Sequence, residues 1–183
     1  RESYKLFAIQ GWLFNHEGTR RGEEFITRKI TKNVAYIKYC MKNNLEIVPF
    51  SVGNIYARRD WSDAEDFMDG VWKMLNNNEP KEYVLSSGET TSVKKFISIA
   101  FKELGINGFW ENTTNNNLNE KYYGEYKGRK IELVNINEKF YRPAEVDLLC
   151  GNSDLAQKEL NWKPKLNINQ LIKKMVTYDY NLL

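Results

Sequence analysis

Apolar positions along the chain repeat with two different periods. Ile26, Ile30, Val34, Ile37 and Met41 are spaced four, four, three and four apart, which marks one face of an α-helix. Lys29, Lys32 and Lys38 fall off that stripe, and Asn43 and Asn44 close it. Helical spacing returns at Phe67, Val71, Trp72 and Leu75, then at Val93, Phe96, Ile97, Ala100, Phe101 and Leu104. It returns once more at Ile168, Leu171, Ile172, Met175 and Val176. Between these stretches lie short apolar runs that predict strands: Leu6 to Ile9 continuing through Trp12, Leu13 and Phe14, then 47–50, 83–85 and 109–110. Pro49 places the second of these at an edge or a strand end.

Punctuation agrees with the periods. Ser62 followed by Glu65 reads as a capping box opening the second helix, and Asn76 to Asn78 with Pro80 stop it. Thr91 or Ser92 opens the third, and Gly105 stands where a left-handed C-terminal residue is wanted. Tyr126-Lys127-Gly128-Arg129 predicts a hairpin. Residues 112–117 read as a polar surface loop. Ser153 caps a short helix through Leu155 and Leu160, which Trp162-Lys163-Pro164 breaks. Asn167 caps the last helix, with Gln170 at its third position. Strands alternating with helices give an α/β protein, the later part of a doubly wound sheet plus a smaller α/β lobe.

Composition narrows the function. In 183 residues, 27 lysines and arginines against 24 acidic groups leave a formal charge of +3, too small to argue for nucleic acid. Cys40 and Cys150 form no C-x-x-C pair, and a single histidine makes a zinc site improbable. Two lone cysteines fit a reduced, cytoplasmic setting. No apolar run has the length of a membrane span, and the N-terminus lacks a signal-peptide core. No G-x-G-x-x-G turn or Walker loop occurs. The abrupt start suggests a piece of a longer chain.

The richest chemistry lies in Asn15-His16-Glu17-Gly18-Thr19-Arg20-Arg21-Gly22-Glu23. It follows a predicted strand and precedes a predicted helix near Glu24. In open α/β sheets ligands bind where the chain leaves strand C-terminal ends. Two arginines, the histidine and a helix start suit a phosphate. The loop reads equally as a solvated connection.

Further landmarks are Thr27-Arg28-Lys29-Ile30-Thr31, Arg59-Asp60-Trp61, Gly88-Glu89-Thr90, Tyr141-Arg142-Pro143-Ala144-Glu145-Val146-Asp147 and Leu160-Asn161-Trp162-Lys163-Pro164. In this order they closely resemble the GDP-mannose 4,6-dehydratases, extended short-chain dehydrogenases/reductases with a Rossmann-like sheet. The resemblance runs from Arg1 to the final helix. It implies a lyase in which NADP⁺ takes a hydride from C4 of GDP-mannose, water leaves from C6, and the hydride returns to C6. The product, GDP-4-keto-6-deoxymannose, feeds GDP-fucose and related deoxysugars.

By the same resemblance, His16 and Arg21 match cofactor contacts. Asn15, Ile26, Lys29, Arg59, Arg142 and Glu145 match residues around the GDP-sugar. On spacing alone, Lys29 is an exposed helix lysine, Arg142 with Glu145 a surface ion pair, and His16 a loop histidine. Trp61 and Trp162 read as core. The family's nucleotide fold, catalytic Thr/Ser, glutamate base and Tyr-x-x-x-Lys pair lie upstream, so no catalytic residue and no metal site is expected in 1–183. The chain is then the C-terminal, mainly nucleotide-sugar-binding part, with the N-terminal half absent, inactive alone and part of a homo-oligomer when whole. Other readings are an inactive GDP-binding fragment and a related GDP-sugar epimerase.

Overall fold

The computed structural model describes residues 1–111, 117–141, 144 and 146–183. Its elements alternate in chain order. Strands β1 (Gln10–Leu13) and β2 (Asn15–Glu17) precede helix α1 (Ile26–Asn43). Strands β3 (Phe50–Val52), β4 (Arg58–Arg59) and β5 (Trp61–Asp63) lead to helix α2 (Ala64–Leu75). Then come β6 (Glu82–Leu85), β7 (Thr91–Ser92) and helix α3 (Val93–Glu103). β8 (Gly108–Glu111), β9 (Lys121–Tyr126), β10 (Arg129–Ile136) and β11 (Leu148–Leu149) follow, and helices α4 (Asp154–Leu160) and α5 (Ile168–Asn181) end the chain. The α/β class expected from the sequence is what is observed.

The chain divides into two compact units, each drawn from three separate segments. The first holds 1–18, 58–91 and 148–171, the second 19–57, 92–147 and 172–183.

In the first unit three strand pairs are parallel: β1 with β6, β2 with β5, and β4 with β11. Its core gathers Phe67, Met74, Tyr83, Leu85, Ala156, Leu160 and Trp162. Trp162 meets the Phe67 ring edge-on at 5.7 Å, and its indole N–H donates to the Asp66 carbonyl at 2.8 Å. The Asp66 carboxylate accepts from the backbone of Lys165 (2.8 Å) and Leu166 (3.1 Å), tying the segment after α4 to α2. Gly70 lets this approach happen, since a Cβ there would lie 2.8 Å from Leu85 and 2.9 Å from the Trp162 ring nitrogen.

In the second unit a four-stranded sheet runs β3-β10-β9-β8, parallel only between β3 and β10. The β9–β10 hairpin turns at Lys127 (φ 52°) and Gly128 (φ 71°), two consecutive left-handed residues whose twist matches the flanking strands. Ile30, Val34 and Ile37 of α1, and Phe96, Ile97, Ala100 and Phe101 of α3, are buried. Phe101 stacks on Tyr122 at 5.0 Å, and burial pushes the Tyr122 phenol up to about 12.

Several expectations shift. Leu6 and Phe7 are exposed and the first strand begins at Gln10, where pairing with Glu82 of β6 begins. An apolar run marks a strand only if a partner edge is present, and a single sequence does not reveal that edge. Asn15 to Glu17 form a strand, so the polar loop is shorter than expected, and α1 starts at Ile26. Val48 is exposed and the third strand is Phe50–Val52. The α2 cap is Asp63, the last residue of β5, whose carboxylate accepts from the Glu65 N–H at 3.5 Å, and Ser62 lies one residue further back in the strand. Trp72 and Leu75 face outward, and Gly70 and Met74 take the buried positions with Phe67. On α1 the stripe drifts, so that Cys40 is buried in place of Met41. The Asn167–Gln170 capping box is present in both directions, at 2.9 and 3.0 Å. The polar stretch 112–116 lies outside the described residues.

Candidate functional site

In the first unit, the register of β2 against β5 puts Asn15 opposite Trp61, His16 opposite Ser62 and Glu17 opposite Asp63. Glu17 is buried, and Asn15 and His16 are half-buried. The Asn15 amide makes no hydrogen bond among the described residues, so both its donor and its acceptor remain for a ligand. The His16 ring stacks on Phe67 at 5.2 Å, and its Nδ1 lies 2.9 Å from the Phe14 carbonyl. A proton on Nδ1 satisfies that contact and leaves Nε2 as the outward group.

Arg59 stands beside the best-anchored residue of this unit. Asp60 is fully buried. Its Oδ1 accepts from the Ser87 N–H (2.9 Å) and hydroxyl (2.6 Å), and its Oδ2 from the N–H groups of Gly88 (2.9 Å) and Gly151 (3.3 Å). Arg58 reaches Thr90, through Nε to the hydroxyl at 3.1 Å and through an amino group to the carbonyl at 2.9 Å. Arg59 points a guanidinium nitrogen back to the Arg58 carbonyl at 2.9 Å. Gly151 admits no side chain, since a Cβ would sit 2.4 Å from that of Ser86. Two landmarks that looked separate in sequence, Arg59-Asp60-Trp61 and Gly88-Glu89-Thr90, are therefore one device that fixes the backbone around Arg59. Trp61 and Trp162 are core, as expected.

The second unit holds Arg21, Ile26 and Lys29. The Arg21 guanidinium lies over the Phe25 ring, 3.5 Å from its centroid, and Ile26 is half-buried in the first turn of α1. Lys29 sets its ammonium 3.6 Å from the centroid of Phe140, and no carboxylate pairs with it among the described residues. Burial lowers the Lys29 pKa. A short helical turn, Glu138–Phe140, carries that ring and leads directly into Tyr141. The structure therefore brings Lys29 to the start of the Tyr141–Asp147 landmark. Arg142 and Glu145 lie outside the described residues.

Sequence reading did not separate two further residues from the ligand candidates. Arg28, next to Lys29, is buried and ion-paired with Asp179 at 2.8 Å, and it also donates to the Thr19 carbonyl. Thr31 completes the cluster by donating to Asp179 at 2.6 Å. Glu120 is fully buried, hydrogen-bonded by Tyr56 and by Lys94. Burial lowers the Lys94 pKa, but its bonds to Glu120 and Tyr56 outweigh that and raise it overall. These partners stand far apart in sequence, so no local pattern could have joined them. No group of three His, Cys, Asp or Glu suited to a metal occurs among the described residues.

The family model for GDP-mannose 4,6 dehydratase matches residues 1–175. The chain belongs to the GDP-mannose 4,6-dehydratase family. The GDP-mannose 4,6 dehydratase of Cricetulus griseus is 42% identical over 183 residues, all of this chain and 46% of that protein. That of Dictyostelium discoideum is 42% identical over 179 residues, 98% of this chain and 48% of that protein. The chain thus spans about half the length of the curated relatives it matches. Among solved structures, RMD from Pseudomonas aeruginosa complexed with NADPH superposes with a TM-score of 0.68 at 16% identity, over 93% of this chain and 47% of that one. At that identity the likeness speaks for the fold, which is the Rossmann-like fold of family members and their dehydratase and epimerase neighbours.

Proposed function

We propose that the protein to which this chain belongs is an NADP-dependent GDP-mannose 4,6-dehydratase, a lyase, and that residues 1–183 are its mainly nucleotide-sugar-binding part. The observation that carries the reading is the 42% identity to a protein of that name along the entire chain.

The residues present fit a dinucleotide and a nucleotide sugar. Lys29 is a cation with no carboxylate partner among the described residues, and such a group suits a phosphate. Asn15 offers an unused amide, and Arg59 stands on a backbone fixed by Asp60. Asn15, Ile26, Lys29 and Arg59, with Arg142 and Glu145, are assigned to the GDP-sugar. His16 and Arg21 are assigned to NADP, His16 through Nε2 and Arg21 through the edge of its stacked guanidinium. The nicotinamide cofactor supplies hydride acceptance and return. The chain's own groups hold the diphosphate charge, orient the nucleotide and exclude water around it. The described residues contribute no catalytic acid or base in this assignment, and the remaining half of the protein supplies them. A cytoplasmic, homo-oligomeric enzyme completes the reading, and NADPH bound to the Pseudomonas relative is in keeping with it.

The test is direct. The protein as its gene encodes it, given GDP-mannose and NADP⁺, should yield a sugar nucleotide lighter by one water. Residues 1–183 alone should yield none. Turnover by 1–183 would overturn the division of labour, and an epimerised GDP-sugar without loss of water would move the protein to another activity.

A further inference from the structure

A second concave site lies in the second unit, among residues the proposed function does not use. Its cavity of about 640 Å³ is lined by Lys38 and Lys42 of α1, by Gly105 to Asn107 after α3, and by Tyr126 and Lys127 at the hairpin. That volume falls within the range of small-molecule sites, roughly 300–1,000 Å³.

Its lining carries three lysines against one acidic residue, Glu125. Other lysines are neutralised by an acid, as Lys32 is by Glu23, Lys81 by Glu159, Lys94 by Glu120 and Lys121 by Glu132, while some, such as Lys29, are not. Lys38, Lys42 and Lys127 make no such pair among the described residues. Lys38 and Lys42 stand one helical turn apart, and like charges at that spacing repel.

Helix ends do not account for them. At the end of α1, the Cys40 carbonyl accepts from the backbone of Asn44 and of Leu45, and the Met41 carbonyl from the Tyr126 hydroxyl at 2.8 Å. At the end of α3, Ile106 N–H bonds to the Phe101 carbonyl at 3.0 Å and Gly105 N–H to Lys102 at 2.9 Å, with Gly105 left-handed at φ 70°. That is a completed C-terminal motif. The Cys40, Met41, Phe101 and Lys102 carbonyls therefore already have partners. The Lys127 ammonium lies 5.2 Å from the centroid of the Tyr126 ring, a contact that leaves its charge without a carboxylate.

We propose that this cavity binds a small polyphosphate, its phosphoryl oxygens bridging Lys38, Lys42 and Lys127. Three lysines from two elements lining a single cavity fit a compact polyanion better than a nucleic-acid backbone. Inorganic pyrophosphate and a nucleoside triphosphate share this chemistry.

The experiment is calorimetric titration of the full natural protein with pyrophosphate and, separately, with ATP, at constant ionic strength and with GDP held saturating. Saturating GDP occupies the nucleotide-sugar site, so failure there and failure here are told apart. Pyrophosphate binding should persist, weaken at least tenfold in Lys38→Ala/Lys42→Ala/Lys127→Ala, and survive in the corresponding triple arginine variant. Tighter binding of ATP would name a nucleotide as the source, and equal binding the phosphates alone. Pyrophosphate affinity unchanged in the triple alanine variant, or abolished by GDP, would overturn the proposal. So would a labelled RNA that binds through these lysines when pyrophosphate does not.

Discussion

Each unit buries an aspartate, and the two are satisfied in opposite ways. Asp60 in the first unit is held by three backbone N–H groups and a serine hydroxyl. Asp179 in the second is held by the guanidinium of Arg28 and the hydroxyl of Thr31. The difference decides what each neighbouring arginine can do. Arg28 is committed to a buried ion pair and is structural. Asp60 takes its hydrogen bonds from backbone N–H groups and a hydroxyl, and these hold the backbone of Arg59 still.

The comparison is broken most severely at Asp60. Asp60→Ala leaves three N–H groups and a hydroxyl facing a void, and urea unfolding should show a loss of about 4 kcal/mol. Asp60→Asn should recover part of that, since one oxygen is retained. In the second unit, Arg28→Met strands a buried carboxylate and should cost about 3 kcal/mol, whereas Arg28→Met with Asp179→Leu should cost clearly less. If the double variant is the worse of the two, the Thr31–Asp179 bond outweighs the ion pair in holding this cluster.

Lys29 sharpens the contrast at the ligand. Burial lowers its pKa, so it loses its charge at a lower pH than an ordinary lysine. An anion needs the charged form. Affinity for GDP should therefore be full at neutral pH and fall as pH rises through a window below the usual lysine value, by about 1.5 kcal/mol at the limit. Lys29→Arg should flatten that fall, because a guanidinium stays charged. A profile identical in wild type and Lys29→Arg would remove Lys29 from the site.

The smallest effects come from the caps. Asn167→Ala in the first unit and Ser92→Ala in the second should each cost about 1 kcal/mol by thermal or urea unfolding. Asn167 also receives a return bond from Gln170, so it should be the more costly of the two.

Helices were legible because their periods are local. The middle of the α1 stripe (Ile30, Val34 and Ile37), the Ser92 cap, the Gly105 stop and the Asn167–Gln170 box all stand where the sequence places them. Strand limits were not, because a strand ends where its partner ends. Leu6 and Phe7 have the composition of a strand, yet β6 gives them no register. The candidate residues were legible as a set of motifs, but their supports were not. Nothing near Asp60 announces that it will capture Ser87, Gly88 and Gly151, and Asp179 lies 148 positions from Thr31. Buried polar partnerships are long-range facts about a fold.

Time along the chain is a further consequence of how the two units are stitched. The first unit needs its third segment, which ends at Leu171, and the second needs 172–183. As the chain emerges from a ribosome, β1 waits until β6 is made some seventy residues later, and Trp162 closes the first core later still. Neither unit can finish before almost all of these residues have been synthesised. Non-local pairing of this kind slows folding and leaves apolar surface open meanwhile. A nascent chain halted between Asp147 and Leu171 would hold two unfinished cores at once and should be a client for chaperones.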